Sequence, residues 1–405
     1  MTVLTPTTRP GRQIAGTNLE FTRSHNRRAV LEAVRRAGTL SRAEIARQTA
    51  LTVQTISNIV EELSKTGLLV AGEPIRGGRG QPSVPYSINP DGGCSFGFHI
   101  AHHAVIAVLA DLTGRPVATR ELAESPKTPA ETAPLVVELM QDMLRSAAVS
   151  PAHVLGVGIA LPTRFDLGPI STAGPTALPG WSDAAARELF RSAIGLPVLI
   201  ENDAVAAAIG ERLYGVARDI ENFVLLYLED GLGAGLFLDG QPFKGAASNA
   251  GEIGHMIVEP GGRPCPCGNR GCLERYVSLR AAYECVSETP DEESPESLKL
   301  LEDADAARLD PWLTEAGPRL ATAINILETV LDPETVIVSG LASRSLIERL
   351  IASAVPLPVS ASAGAGRPIP RVIAGTAGRQ STAYGAAALP VFDEMNPRFD
   401  VLLKG

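Results

Sequence analysis

The stretch from Glu252 to Tyr276, EIGHMIVEPGGRPCPCGNRGCLERY, spends three of the chain's 5 cysteines in one short loop. Cys265, Cys267 and Cys272 stand as C-x-C-x4-C with Gly268 and Gly271 inside the run, and His255 lies ten residues upstream. Three thiolates and one imidazole are the donor set of a closed, tetrahedral, structural Zn2+ site, one ion per chain. Glycines allow so short a loop to curl around an ion. A disulfide is the alternative, but it requires an oxidising compartment and leaves a third thiol unpaired. Any fold adopted by this chain therefore has to return His255 to the cysteine loop.

With 405 residues and 45% hydrophobic content, the chain has room for two or three domains with proper cores. Its longest apolar runs, such as AVIAVLADL and VLGVGIAL, are too short to span a bilayer, and MTVLTPTTRPGRQ lacks the apolar core of a signal peptide. These features lead to the expectation of a cytoplasmic protein without a membrane partner. The net charge of -9 is unevenly spread, because residues 1–90 carry twice as many basic as acidic side chains while the remainder is strongly acidic. A basic head on an acidic body fits a DNA-binding module joined to a ligand-binding one, although charge alone also fits a solvated basic face.

From Asn26 onward, the head reads as three short helices. Ser41 and Glu44 have the S-x-x-E spacing of a capping box, and Thr52 is a second helix start. After it, Ile56, Ile59, Val60 and Leu63 recur at helical spacing and form one apolar stripe. Gln54, Thr55, Ser57 and Asn58 then face outward in the first two turns, where short polar side chains of a recognition helix meet base edges. The following GLLVAGEPIRGGRGQPSVPYSIN reads as two strands around a loop, giving a winged helix-turn-helix with Arg76 and Arg79 on a glycine-rich wing tip. Arginines on flexible glycines reach phosphates or enter a narrow minor groove.

Beyond Asn89, glycine-punctuated strands alternate with helices, which makes the class α/β. CSFGFHIAHHAVIAVLADLTGRPV reads as a hairpin with a turn at Thr113 and Gly114, while HVLGVGIALPT and LPVLIEND read as buried strands. A helix is expected after the latter with Asp203 as its N-cap. NFVLLYLEDGLGAGLFLDGQPF reads as a hairpin turning through Asp230 and Gly231, ETVIVSGLAS as a further strand, and STAYGAAAL as a final helix. The acidic stretch from Ser287 to Asp310 reads as surface helix and loop, and PLPVSASAGAGRPIP as a surface loop.

The cysteine run, together with GEIGHMIVEPGGRPCPCGNRGCLERYVS, closely resembles the signature of the ROK family, which groups bacterial sugar-responsive repressors with sugar kinases. ENDAVAAAIGE, TALPGW and DGLGAGLFLDG resemble its N-D-A-N segment, its sugar-side loop and its second phosphate loop, and G-G-R-G-x-P resembles the wing of its repressor branch. The resemblance implies a flexible tail over 1–20, a winged helix-turn-helix over 21–90 and a two-lobed, actin-like, hexokinase-type (ribonuclease H-like) body over 91–405. A smaller lobe of about 91–202 plus a helix of about 376–390 would face a larger lobe of about 203–375. It also implies that Asn202, Asp203, Glu252, His255 and Glu274 hydrogen-bond a sugar or amino sugar, with His255 held by the zinc on its other ring nitrogen. Carboxylates and amides suit vicinal hydroxyls, and a metal-bound imidazole has a fixed tautomer.

Asp203 matches the general base of the family's kinases. Against kinase activity, FHIAHHAV has His99 where an acidic residue is expected and Ala101, His102 and His103 in place of Gly-Gly-Thr, and Asp230 replaces a threonine of the second loop. These changes remove a metal-side carboxylate and the close backbone approach to phosphate. A metal site made of the three histidines is the less favoured reading. The expectation is a non-enzymatic regulator, a homodimer or homotetramer on operator DNA, whose sugar pocket survives while its ATP site is lost. The alternatives are an active sugar kinase carrying a DNA-binding head and a regulator answering to a partner protein. Ala177 stands near where family members often carry a polar residue, so the sugar is not specified.

Overall fold

A computed structural model describes residues 19–75, 83–101, 104–123, 128–162, 184–246, 249–287, 301, 306–362 and 367–396. The chain divides into two compact units, Met1–Ile88 with Glu394–Gly405, and Asn89–Asp393.

The first unit holds α1 (Leu19–Ala37), β1 (Leu40–Ser41), α2 (Arg42–Thr49), α3 (Val53–Lys65), β2 (Leu69–Ala71) and β3 (Pro85–Ile88). α1 starts well before Asn26, where the sequence reading placed the first helix. The capping box forms as expected, with the Glu44 N–H donating to Ser41 Oγ at 3.3 Å and the Ser41 N–H donating to Glu44 Oε2 at 2.8 Å. Thr52 caps α3, its Oγ1 accepting from the Thr55 N–H at 3.2 Å. Ile56, Ile59, Val60 and Leu63 are all buried and pack with Val30, Leu31, Val34 and Ile45 into a helical core. Each such side chain stabilises the unit by about 1.5–3 kcal/mol relative to exposure. The antiparallel sheet has the order β1-β3-β2, and an Ile75–Ser83 bridge extends the β2–β3 hairpin toward its tip. β1, too short to leave a period-2 signal, is absent from the sequence reading. The head is a winged helix-turn-helix, with α3 in the position of the recognition helix.

The second unit is built from two sheets with the same plan. One comprises β4 (Cys94–Ile100), β5 (Val105–Asp111), β6 (Pro116–Leu122), β7 (Val154–Leu161) and β8 (Val198–Asn202), ordered β6-β5-β4-β7-β8. The other comprises β9 (Phe223–Leu228), β10 (Leu232–Leu238), β11 (Gln241–Pro242), β12 (Thr335–Gly340) and β13 (Val372–Ala377), ordered β11-β10-β9-β12-β13. In each, three consecutive strands pair antiparallel and two later strands add in parallel. Parallel addition requires crossover helices, supplied by α4 (Pro129–Ala147) and α5 (Ala184–Ile194) in the first lobe. The second lobe carries α6 (Asp203–Leu213), α7 (Glu274–Val277), α8 (Leu279–Val286), α9 (Ala306–Leu331) and α10 (Arg344–Ser353). The last residues of the acidic stretch, 306–310, begin a 26-residue helix, on which Leu309 is buried rather than at the surface.

The final helix, α11 (Ser381–Met395), sits against the first sheet through small residues on both sides. A Cβ on Gly97 would lie 2.0 Å from the Ala383 carbonyl oxygen, and one on Gly158 would lie 1.9 Å from that of Ala386. Glycine is required there because the helix backbone rests directly on the strands. Phe392 on the same helix meets Phe237 of the second sheet edge-on at 6.1 Å, so α11 contacts both lobes. This two-lobed arrangement is the actin-like, hexokinase-type body that the sequence reading expected.

Candidate functional site

β8 delivers the first pocket residues. Its extended backbone ends at Asn202 (φ -64°, ψ 147°), whose Oδ1 accepts from the Ala204 and Val205 N–H groups at 3.0 and 3.4 Å. Asn202 is therefore the N-cap of α6 and Asp203 its first helical residue, so the cap lies one position earlier than the Asp203 expected from the sequence. Asn caps as well as Asp does, and the strand's own dihedrals carry directly into it. Asp203, 8% exposed, accepts a further bond from the Ala204 N–H at 2.6 Å.

A cleft gathers Asn202 and Asp203 with Tyr227, Glu229 and Asp230 from the end of β9, and with Glu252, His255 and Glu274 from the cysteine loop region. All five residues expected to contact a sugar thus line one pocket. Glu252 and His255 flank the short 3-10 turn Ile253–His255, and Glu274 opens α7. The His255 Nε2 lies 4.0 Å from Glu252 Oε2, while its Nδ1 lies 3.4 Å from Glu274 Oε1.

The same Nδ1 lies 3.6 Å from Cys265 Sγ, and Cys267 Sγ lies 3.7 Å from Cys272 Sγ. Potential ligand atoms of His255, Cys265, Cys267 and Cys272 all lie within 4.8 Å of one another. A tetrahedron with about 2.1–2.3 Å metal–ligand bonds has edges of about 3.5–3.8 Å, which the 3.6 and 3.7 Å pairs match. Gly268 (φ 93°) and Gly271 (φ 82°) occupy left-handed backbone within the loop, and a Cβ on Gly271 would fall on the Glu259 carbonyl. The cluster can hold a metal. Burial first and then a hydrogen bond to Glu274 push the Cys265 thiol up, the Sγ donating to Glu274 Oε1 at 2.9 Å.

Tyr276 braces this loop in a way the sequence did not suggest. Its hydroxyl accepts from the Arg263 N–H at 2.8 Å, and its ring lies beneath the guanidinium groups of Arg263 and Arg319, at 5.0 and 4.2 Å. Arg319 on α9 also donates to Glu259, and Arg263 pairs with Glu315 at 2.7 Å. Spacing carries no sign of this brace, because its partners are 52 and 60 residues apart in the chain.

Glu229 is a second unforeseen residue. It follows β9 directly, is 13% exposed, and lies with its Oε1 3.6 Å from the Nε2 of fully buried His99 on β4. Burial, then the charge of Asp203 and a hydrogen bond with it, raise the Glu229 carboxyl well above the ordinary range. Burial likewise raises the Tyr227 hydroxyl, which is hydrogen-bonded to Thr382. Ala101 closes the β4–β5 turn by donating to the Ala104 carbonyl at 3.0 Å. His102, His103 and Ala177 lie outside the described residues.

On the head, Gln54 and Asn58 are exposed at the start of α3, while Thr55 and Ser57 are half-buried. Gln54 Nε2 donates to Asn58 Oδ1 at 3.1 Å, and Ser57 Oγ donates to the Val53 carbonyl at 2.9 Å. The pair Gln54–Asn58 is thus pre-positioned on the outward face of the helix. Arg76 and Arg79 lie outside the described residues. Among the described residues, no helix is long and apolar enough to cross a membrane.

Residues 22–80 match the MarR family, and residues 96–391 match the ROK family. A xylose repressor of Caldicellulosiruptor bescii is 26% identical over 340 residues, covering 78% of this chain and 83% of the repressor. The Escherichia coli DNA-binding transcriptional dual regulator NagC is 26% identical over 278 residues, 68% of this chain and 67% of its own. In fold, the chain is similar to a ROK family transcriptional regulator described as a homologue of the Escherichia coli MLC protein, with a TM-score of 0.69 at 22% identity over 95% of this chain and all of that one. It is also similar to a ROK family glucokinase from Streptomyces griseus, with a TM-score of 0.56 at 24% identity over 73% of this chain and 99% of that one. With the match to the family extending through both lobes of the body, this chain belongs to the ROK family.

Proposed function

We propose that the chain is a sugar-responsive transcriptional regulator that binds operator DNA through α3 and its wing and senses a sugar or amino sugar in the cleft of the body. The observation that carries this reading is the convergence of Asn202, Asp203, Glu252, His255 and Glu274 on one pocket in a chain that also has a winged helix-turn-helix. Oxygen and imidazole groups at fixed angles suit vicinal hydroxyls, each of which donates and accepts. Xylose repressors and NagC among the relatives support the same assignment.

His255, Cys265, Cys267 and Cys272 would hold one structural Zn2+. When bound, the ion supplies a rigid tetrahedral anchor and no reaction chemistry. His255 itself would be oriented with Nδ1 on the cysteine side and Nε2 toward Glu252 and the sugar, which fixes its tautomer. Glu252 and Glu274 would accept from hydroxyls at one end of the sugar, and Asn202 and Asp203 at the other. Gln54, Thr55, Ser57 and Asn58 would meet base edges, with Arg76 and Arg79 on the wing. A homodimer or homotetramer would match a two-fold operator, and sugar binding that favours one lobe closure would shift the paired heads.

ATP handling is proposed to be lost. Glu229 and Asp230 place carboxyl groups where a phosphate loop needs neutral donors, and His99 fills the first loop's acidic position. Retention of Asp203 is the observation favouring a residual kinase. Fluorescence anisotropy on operator DNA, with and without a panel of sugars, tests the regulator reading. Sugar-dependent change in DNA affinity supports it, whereas sugar-dependent ATP consumption abolished by Asp203→Asn would replace it with the kinase.

A further inference from the structure

We infer that the pocket is built for an unphosphorylated sugar and rejects sugar phosphates, with Glu229 beside Asp203 as the discriminating pair. The inference rests on the sugar-pocket reading above and names the class of ligand that this particular cleft admits.

Anion sites at helix N-termini work because backbone N–H groups there lack partners. At α6 two of those donors are already engaged. The Ala204 N–H is held by both Asn202 Oδ1 and Asp203 Oδ1, and the Val205 N–H points at Asn202 Oδ1. The resident anion of that terminus is Asp203 itself. A phosphate arriving there would have to displace a carboxylate that is part of the chain.

Glu229 and Asp203 line the same cleft as interacting neighbours, so the cleft presents both carboxyl groups to a ligand. Two carboxyl groups sharing one proton offer a single donor among several acceptors, and the pair keeps one negative charge. A hydroxyl satisfies such a pair, since it donates to one member and accepts from the other. A phosphate has oxygens that only accept, and its charge meets Asp203 and Asp230 on this side of the cleft. At the other end stand Glu252 and Glu274, and the described lining contains no lysine or arginine. Five carboxyl groups, those of Asp203, Glu229, Asp230, Glu252 and Glu274, thus line the described walls.

Calorimetry on the metal-loaded full chain tests this with glucose, xylose and N-acetylglucosamine against glucose 6-phosphate and N-acetylglucosamine 6-phosphate. A free sugar is expected to bind at least about 100-fold more tightly than its phosphate, as unfavourable charge juxtaposition in a partly desolvated site predicts. Glu229→Gln with Asp230→Asn, checked for native circular dichroism and unchanged metal content, is expected to narrow that ratio about tenfold. A phosphate ester that binds as tightly as its parent sugar overturns the inference while leaving the sugar pocket standing. An unchanged ratio in the folded double variant removes the roles assigned to Glu229 and Asp230. If none of the five compounds binds, the sugar-pocket reading itself fails and the inference falls with it.

Discussion

His99 Nε2, near the end of β4 in one lobe, lies 3.6 Å from Glu229 Oε1, just past β9 in the other. The contact joins the carboxyl-terminal ends of two sheets that share one strand plan. Asp203 is a second neighbour of Glu229, and the Glu229 carboxyl is raised well above its ordinary value of 4.5 by burial first and by this acidic neighbour second. A carboxyl raised on folding takes up a proton, so its contribution is full below pH 4.5 and is lost as pH rises through the folded value. Glu229→Gln carries no proton to lose. Its melting temperature relative to the parent is therefore expected to improve between pH 5 and pH 8, by about 2–4 °C for each kcal/mol recovered. Melting curves that run parallel across this range would show that the buried carboxyl does not titrate with folding.

The metal cluster makes a separate prediction. Cys267→Ser removes one of four clustered donors, so metal content measured by atomic emission should fall from about one per chain to near zero. Sugar affinity should fall with it by about tenfold, because His255 loses its fixed orientation. Arg319→Met leaves every donor in place but removes the guanidinium that lies over Tyr276 and bonds Glu259. This variant should keep its metal, yet surrender it several times faster to a chelator. Full metal content and parental sugar binding in Cys267→Ser would rule out the anchoring role.

Much of this site was legible because its signals are local. Cysteine spacing identified the cluster, the Ser41–Glu44 box and Thr52 marked two helix starts, and the stripe Ile56, Ile59, Val60 and Leu63 marked the buried face of α3. Glu229 carries no such local signal, although its neighbour Asp230 stands out in the second loop. Its importance comes from His99 and Asp203, which reach it through a different sheet and a helix start. Likewise, the Tyr276 brace draws on Arg319 from a distant helix, and β1 is too short for any periodicity. The cap of α6 was off by one residue because Asn202 and Asp203 are both good capping residues, and only the backbone dihedrals separate them.

On the head, Gln54 and Asn58 hydrogen-bond each other on the exposed face of α3. An amide pair held in this way presents both donors and acceptors to a base edge, as adenine recognition requires. Asn58→Ala should weaken binding to the cognate operator by about 1–3 kcal/mol while leaving binding to random DNA nearly unchanged. Thr52→Ala acts differently, costing about 1 kcal/mol of helix stability through its lost cap. Anisotropy titrations at fixed salt separate the two effects. An Asn58→Ala chain that loses specific and random binding equally would place this face on phosphates instead of bases.

The contact between α11 and the first sheet sets the last prediction. Gly158 on β7 faces the Ala386 carbonyl so closely that a Cβ would lie 1.9 Å from its oxygen, and Gly97 on β4 faces Ala383 in the same way. Neither neighbour is a flexible side-chain tip, so relief demands that the whole helix move off the sheet. That motion would also pull Phe392 from Phe237 across the body. Gly158→Val is therefore expected to cost more than about 3 kcal/mol and to weaken sugar binding, since α11 ties the two lobes that form the pocket. Gly195→Ala is the control: its site is open but its φ of 69° is left-handed, so it should cost only about 1–2 kcal/mol of backbone strain. Thermal denaturation of both variants decides the matter, and equal melting temperatures would mean that α11 does not rest on the sheet as tightly as its backbone contacts require.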